Sequence, residues 1–237
     1  MKKHIVILGF PKCGTTALHK FFMREPGIYA ANGNNVTHES AWPLIKSIDF
    51  GQVTENLVVH KFAAYVYNKD ALEYLATEYA HATFVLLVRD PKRSLISWYK
   101  MHRQIALSGS IKSHFAYIER DFYANCSIDE YYKKFAKTRL EYDKWFKKLI
   151  SILPNKNLIV VSQSALSKSL EGIGRHITAL ALDKKDREIE IPTTITQHIA
   201  VSDIAPLDIS KETIDHLDSV YEELQHEIKR SNTASFL

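Results

Sequence analysis

Cysteine is scarce: Cys13 and Cys126 are the only two in 237 residues. That excludes a disulfide framework and a cysteine-built zinc site, and points to a reducing compartment, the cytoplasm. Long apolar runs are missing too. The run from Ile5 follows two lysines, as in a secretory leader, but stops at Gly9–Phe10–Pro11. That is short of the roughly 7–15 residues of a leader's apolar core. No uncharged run reaches the roughly 20 residues of a membrane-spanning helix. The sequence therefore predicts a soluble protein with no membrane span, whose first apolar run is a buried strand. Strong charge is lacking as well. A net charge of +4 suits an anionic ligand but does not announce nucleic acid. No repeat, low-complexity tract or clear linker divides the chain.

What is present is an alternation. With 46% apolar residues the chain can build a real core. Short apolar runs at 4–9, 57–61, 82–88 and 157–162 read as buried strands. Between and after them, helical patterns fall at 15–25, 70–80, 91–107, 129–153 and 164–181. A last helix follows Ser210 as N-cap. Residues 27–56 and 183–209 read as irregular, and 108–128 as loop or broken helix. The lysines of 129–153 read as a solvated face, not a nucleic-acid patch. Strands alternating with helices imply one α/β domain over residues 1–237, a central parallel sheet flanked by helices, with ligands at the strands' carboxyl ends.

The stretch ILGFPKCGTTALHKFF, residues 7–22, carries chemistry at such an end. Gly9 and Gly14 have the spacing of the phosphate-binding pattern G-x-x-x-x-G-K-[ST]. Thr15 stands where that pattern has lysine, and the loop's lysine is Lys12. A turn leading into a helix directs backbone N–H groups and the positive end of the helix dipole at one point. Gly14 allows close approach, Thr15 and Thr16 add hydroxyls, and Lys12 adds a point charge. The pattern reads as an anion cradle or as an ordinary strand–helix turn. The absent Gly-Lys-Thr argues against a standard ATPase, which needs that lysine on the β/γ-phosphates and the hydroxyl on magnesium.

PKCGTT resembles the 5′-phosphosulfate loop of sulfotransferases that use 3′-phosphoadenosine 5′-phosphosulfate (PAPS), where the lysine precedes Gly-Thr-Thr. The resemblance implies a P-loop-like fold, with Cys13, Gly14, Thr15 and Thr16 around the 5′-phosphate. It also implies that Lys12 lies on the bridging oxygen, PAPS is co-substrate, 3′,5′-adenosine bisphosphate (PAP) is product, and no metal is required. A second motif agrees. RDPKRSLISWY, 89–99, resembles the family's 3′-phosphate motif, a strand-end arginine with a serine eight residues on: Arg89 and Ser97. Many members carry another arginine five places after the first; here Ser94 stands there, with Arg93 one place earlier. The resemblance covers about residues 4–100 well and 150–230 in outline.

On the acceptor side, the soluble branch's histidine two places after a lysine is absent: Ala63 follows Lys61 at that spacing. HESAW, with Glu39 and Trp42, and HKFAAY, with Lys61 and Tyr65, are similar to the carbohydrate branch. They imply Glu39 as general base and Lys61 as its charge-stabilising partner. His38, His60 and His102 stay open as alternative bases, His102 following Ser97 by five residues on the same helix. Trp42 and Trp98 suit sugar, adenine or the core, and Cys13 reads as a small filler. Lys184, Lys185, Arg187 and Lys211 are candidates for closing the 3′-phosphate site. The expectation is sulfuryl transfer from PAPS to a small-molecule or glycan hydroxyl, with the acceptor and oligomeric state left open. The alternatives are a P-loop nucleotide kinase and a non-catalytic protein of the same fold.

Overall fold

The computed structural model describes residues 2–30, 53–108, 119–153, 157–182, 208–231 and 234–236. Its centre is β1, Lys3–Gly9, whose last five residues are all buried. Then follow α1 (Thr15–Phe22), β2 (Ile28–Ala30), β3 (Leu57–Lys61) and a 3₁₀ turn (Ala63–Tyr67). α2 (Lys69–Glu78), β4 (Thr83–Val88) and α3 (Pro91–Ser108) come next. After the short helices α4 (Arg120–Asn125) and α5 (Ile128–Tyr131), a π-helical turn (Tyr132–Ala136) leads to α6 (Lys137–Leu140) and α7 (Tyr142–Ile152). The chain continues through β5 (Leu158–Ser162), α8 (Gln163–Lys168), α9 (Leu170–Ala181), α10 (Lys211–Arg230) and β6 (Ala234–Phe236).

The strands form one sheet in the order β2-β3-β1-β4-β5-β6, parallel at every pairing. This is the single α/β domain the alternation predicts. β3, β4 and β5 read as unbroken apolar runs because both faces of a parallel sheet are covered; all five residues of β3 and of β5 are buried. The chain leaves β1 toward β3 on one side and returns to β4 on the other. Loops after β1 and β4 therefore diverge at a topological switch point, where open α/β sheets bind ligands.

Two helices depart from the sequence reading. The pattern over 129–153 predicts one long helix, but the chain makes a π turn and then breaks at Glu141 (φ −74°, ψ 63°). The reason is burial. Leu140 and Tyr142 are both buried, at 1% and 0% exposure, yet on a straight helix they would point about 200° apart. The pattern over 164–181 is likewise split, at Ser169 (φ −149°, ψ 68°). The bend sets Leu166 of α8 behind Gly14 and Gly174 of α9 against Phe21 of α1, where a Cβ would lie 2.2 Å from the Phe21 ring. The lysine face is solvated as expected: Lys134, Lys144 and Lys147 form exposed ion pairs with Glu119, Glu141 and Glu223.

The last helix starts where the cap predicts, with Thr213 N donating to Ser210 Oγ at 3.3 Å. Asp129 then ties this cap to α5. Its carboxylate accepts from Ser210 N, Ser210 Oγ and Thr213 Oγ1 at 2.9, 2.8 and 2.6 Å. Asp129→Ala should therefore lower unfolding stability by roughly 1–3 kcal/mol, read from denaturant midpoints. A midpoint equal to that of the native protein would remove this tie from the account.

Candidate functional site

The site begins with strand register. Gly9 pairs with Leu87, and Phe10 N donates to Leu87 O at 3.2 Å, so the chain leaves β1 and β4 side by side. A Cβ on Gly9 would lie 2.6 Å from the Thr15 methyl, which is why the strand must end there in glycine. The loop then takes two left-handed residues, Lys12 (φ +63°) and Gly14 (φ +94°). For glycine this is free; for Lys12 it costs roughly 1 kcal/mol. Backbone strain of this kind gathers at functional sites. Gly9→Val should cost about 1–3 kcal/mol through overpacking and weaken any anion held by the loop. Thermal melts and anion titration check both, and an unaltered melt would contradict the packing argument.

α1 starts at Thr15 with no side-chain cap and no acidic residue in its first turn, leaving its first N–H groups and dipole to the loop. Three cations meet this spot. Arg89, one residue beyond β4, donates from Nη1 to Lys12 O at 3.0 Å. Lys61, at the end of β3 and 8% exposed, donates from Nζ to Thr16 Oγ1 at 3.0 Å. Lys12 reaches across to α3, its Nζ 3.5 Å from Met101 Sδ. The resemblance-derived residues Lys12, Cys13, Gly14, Thr15, Thr16, Lys61 and Arg89 are thus brought together. Ser97 is half-buried on α3, the helix capped by Asp90 Oδ1, which accepts from Lys92 N at 2.8 Å.

Electrostatics give the site its demand. Burial, then the neighbouring Arg89, lowers the Lys12 ammonium below its usual 10.5. Burial also lowers Arg89, offset in part by Cys13, with Arg93 adding to the lowering and Tyr142 and Asp90 opposing it. Among the described ion pairs, none includes Lys12 or Arg89. Two partly desolvated cations held side by side are relieved by an anion placed between them.

Cys13 is 1% exposed, and burial pushes its thiol up to about 12. Its place at a helix start does not activate it, and it packs as the small filler the sequence suggests. Ser94 is fully buried, while Arg93 is exposed and 4.0 Å from Asp90. His102 lies fully inside the core, its Nδ1 hydrogen-bonded to Tyr131 OH at 3.1 Å and its ring against Trp98, Tyr123 and Phe135. His60 faces the other side of β3 from Lys61, its Nε2 2.9 Å from His4 Nδ1. Glu39, His38, Trp42, Lys184, Lys185 and Arg187 lie outside the described residues. Lys211 is exposed at the start of α10.

Burial lowers both core histidines from the usual 6.5, His102 to about 4 and His60 to about 3. The unfolded chain takes up these protons near 6.5 and the folded chain refuses them. Stability is therefore full above pH 6.5 and falls as pH drops through the window from 6.5 toward 4. Each histidine removes up to about 1.4 kcal/mol per pH unit there. Denaturant midpoints at pH 7, 6, 5 and 4 check this; a flat series would contradict it.

Sequence reasoning missed the loop's aromatic buttress. Phe10 stacks on Tyr142 of α7 with centroids 4.0 Å apart and planes 12° apart. Tyr67 packs beside Phe10 at 6.3 Å. No spacing rule connects residues so far apart in the chain. The three candidate ligands Lys12, Lys61 and Arg89 were legible; what locks them was not.

A family model described as the sulfotransferase domain matches residues 2–162, the span holding the loop, Lys61, Arg89 and β1 through β5. A solved sulfotransferase from Alicyclobacillus acidocaldarius has a similar fold, with a TM-score of 0.64 and 14% identity, over 97% of this chain and 96% of that one. A search of curated proteins returned no match. Among the described residues, no helix is long and apolar enough to cross a membrane.

Proposed function

The chain belongs to the sulfotransferase-domain family, and from that premise we propose that it moves a sulfuryl group from PAPS to a hydroxyl of a carbohydrate or glycolipid. The observation that carries this reading is the pairing of Lys12 and Arg89 around the uncapped start of α1, with no carboxylate paired to either among the described residues. A donor with one 5′-phosphate joined to sulfate, and a separate 3′-phosphate, needs two such anion contacts. Gly14, Thr15 and Thr16 take the 5′-phosphate, with the Cys13 backbone beside them. Arg89 takes the 3′-phosphate with its rigid fork of donors, and Ser97 adds a hydroxyl.

In the transfer, Glu39 accepts the acceptor's proton as the hydroxyl oxygen attacks sulfur. The bond from sulfur to the bridging oxygen breaks, and PAP leaves carrying the electron pair. Lys12 steadies the charge that grows on that oxygen. Lys61, at the end of β3 with its ammonium on Thr16, orients Glu39 and steadies charge on the sulfuryl group. His102 is neutral at pH 7, and its burial with Nδ1 on Tyr131 suits holding Tyr131 in place better than receiving the acceptor's proton. No step calls for a metal. The free, buried cysteines suit a reducing, cytoplasmic setting.

The test is PAP release from PAPS in EDTA, with a panel of glycosides and a glycolipid as acceptors, on the native chain and on Glu39→Gln. Acceptor-dependent release, lost by at least about a hundredfold in the variant, is expected. Binding of PAP without release for any acceptor would favour the non-catalytic reading.

A further inference from the structure

Arg139 sits where the long helix fails to continue. It follows the π turn and precedes the break at Glu141. π turns and helix interruptions recur at functional sites because they redirect side chains. Here the redirection turns an exposed guanidinium over two aromatic rings, 5.7 Å from the Trp98 centroid and 4.8 Å from that of Phe135. Cation–π contact of this kind holds the guanidinium's place without neutralising it. None of the described ion pairs includes Arg139.

Two routes tie Arg139 to the rim of the phosphate loop. On one side, Tyr67 packs against Phe10 of the loop and donates its hydroxyl to Arg139 O at 2.9 Å. On the other, Lys12 Nζ meets Met101 of α3, three residues and so about one turn from Trp98, whose ring carries the guanidinium. The two cations thus flank one stretch of α3. The field agrees: after burial, Arg139 and Lys12 are the charges that lower His102.

We propose that Arg139 is an acceptor-binding residue, and that the acceptor is an acidic carbohydrate whose carboxylate or sulfate pairs with its guanidinium. This rests on the sulfotransfer reading. Arg89 and the loop already account for both phosphates of the donor, so a further fixed cation at the loop's rim is left to the other substrate. A guanidinium set over aromatic rings, 5.7 and 4.8 Å from the two centroids, keeps its N–H donors for a carboxylate or sulfate. The same surface would do little for a neutral sugar.

The test is calorimetric titration of the PAP-loaded full chain with p-nitrophenyl β-D-glucuronide and, separately, p-nitrophenyl β-D-glucoside. The native protein is compared with Arg139→Gln and Arg139→Lys. The expected result is glucuronide bound about tenfold or more tighter than glucoside, a preference abolished in Arg139→Gln and partly kept in Arg139→Lys. PAP affinity stays within about twofold throughout, which also shows that the variants fold. Equal affinity for the two glycosides, binding of neither, or a preference that survives Arg139→Gln would overturn the proposal. So would a loss of PAP affinity in Arg139→Gln, which would make Arg139 a donor residue. If the native protein fails to bind PAP, the sulfotransfer reading falls first, and this proposal with it.

Discussion

Lys12→Ala should lower turnover of PAPS by about 10²–10³, while changing PAP affinity by no more than about tenfold. Three observations set that expectation. Lys12 is the loop's one non-glycine residue held at positive φ, a cost accepted to aim its side chain. Its ammonium is partly desolvated and pressed by Arg89, so it gains most when negative charge grows beside it. Its present contact, Met101 Sδ at 3.5 Å, is weak enough to give up. A group acting mainly on the leaving oxygen stabilises the transition state more than the bound donor. Lys12→Arg should recover part of the rate, because charge is kept while geometry changes. Equal losses in kcat and in PAP affinity would reduce Lys12 to a binding residue. The lowered ammonium also fixes a pH sign. PAP affinity should decline as pH rises, beginning below the ordinary lysine value of 10.5, because the deprotonated amine no longer attracts phosphate.

Arg89→Ala should weaken PAP binding by roughly a hundredfold, about 2.7 kcal/mol. The substitution removes a charge-assisted fork and also releases the Lys12 carbonyl that Nη1 holds at 3.0 Å. The two contributions separate by ligand. Adenosine 5′-phosphosulfate lacks the 3′-phosphate, so its affinity should fall less than that of PAP. Arg89→Lys should rescue poorly, since a point charge does not reproduce a planar fork. Equal losses for both ligands would mean that Arg89 serves the loop alone and that the 3′-phosphate lies elsewhere.

Much of this was readable in the chain, for identifiable reasons. The strands at 57–61 and 158–162 stand out because parallel strands covered on both faces are continuous apolar runs. The loop stands out because two glycines at fixed spacing answer two steric needs, the crowding by Thr15 at Gly9 and the positive φ at Gly14. Ser210 marked the last helix because its oxygen had an orphan N–H to satisfy. β2 and β6 went unread because three residues carry no pattern. The break at Glu141 went unread because helical periodicity tracks only local phase, whereas tertiary packing required both Leu140 and Tyr142 inside. Lys61 meets Thr16 through the register of β3 on β1, where Ile7 lies opposite Lys61. Motif order suggested the partnership, but only the sheet supplies the distance. Arg139 carries no signal of its own in the sequence, since it stands among the lysines of a solvated face.

On the proposed function, this loop binds a phosphosulfate donor and not a nucleoside triphosphate. The most direct measurement is calorimetric titration of the native protein with PAP in EDTA, beside ATP with magnesium. Micromolar or tighter PAP binding, about −8 kcal/mol or better, is expected, with ATP–magnesium at least about a hundredfold weaker. ATP–magnesium binding as tightly as PAP, or tighter, would contradict the proposed function and return the loop to phosphoryl-transfer chemistry.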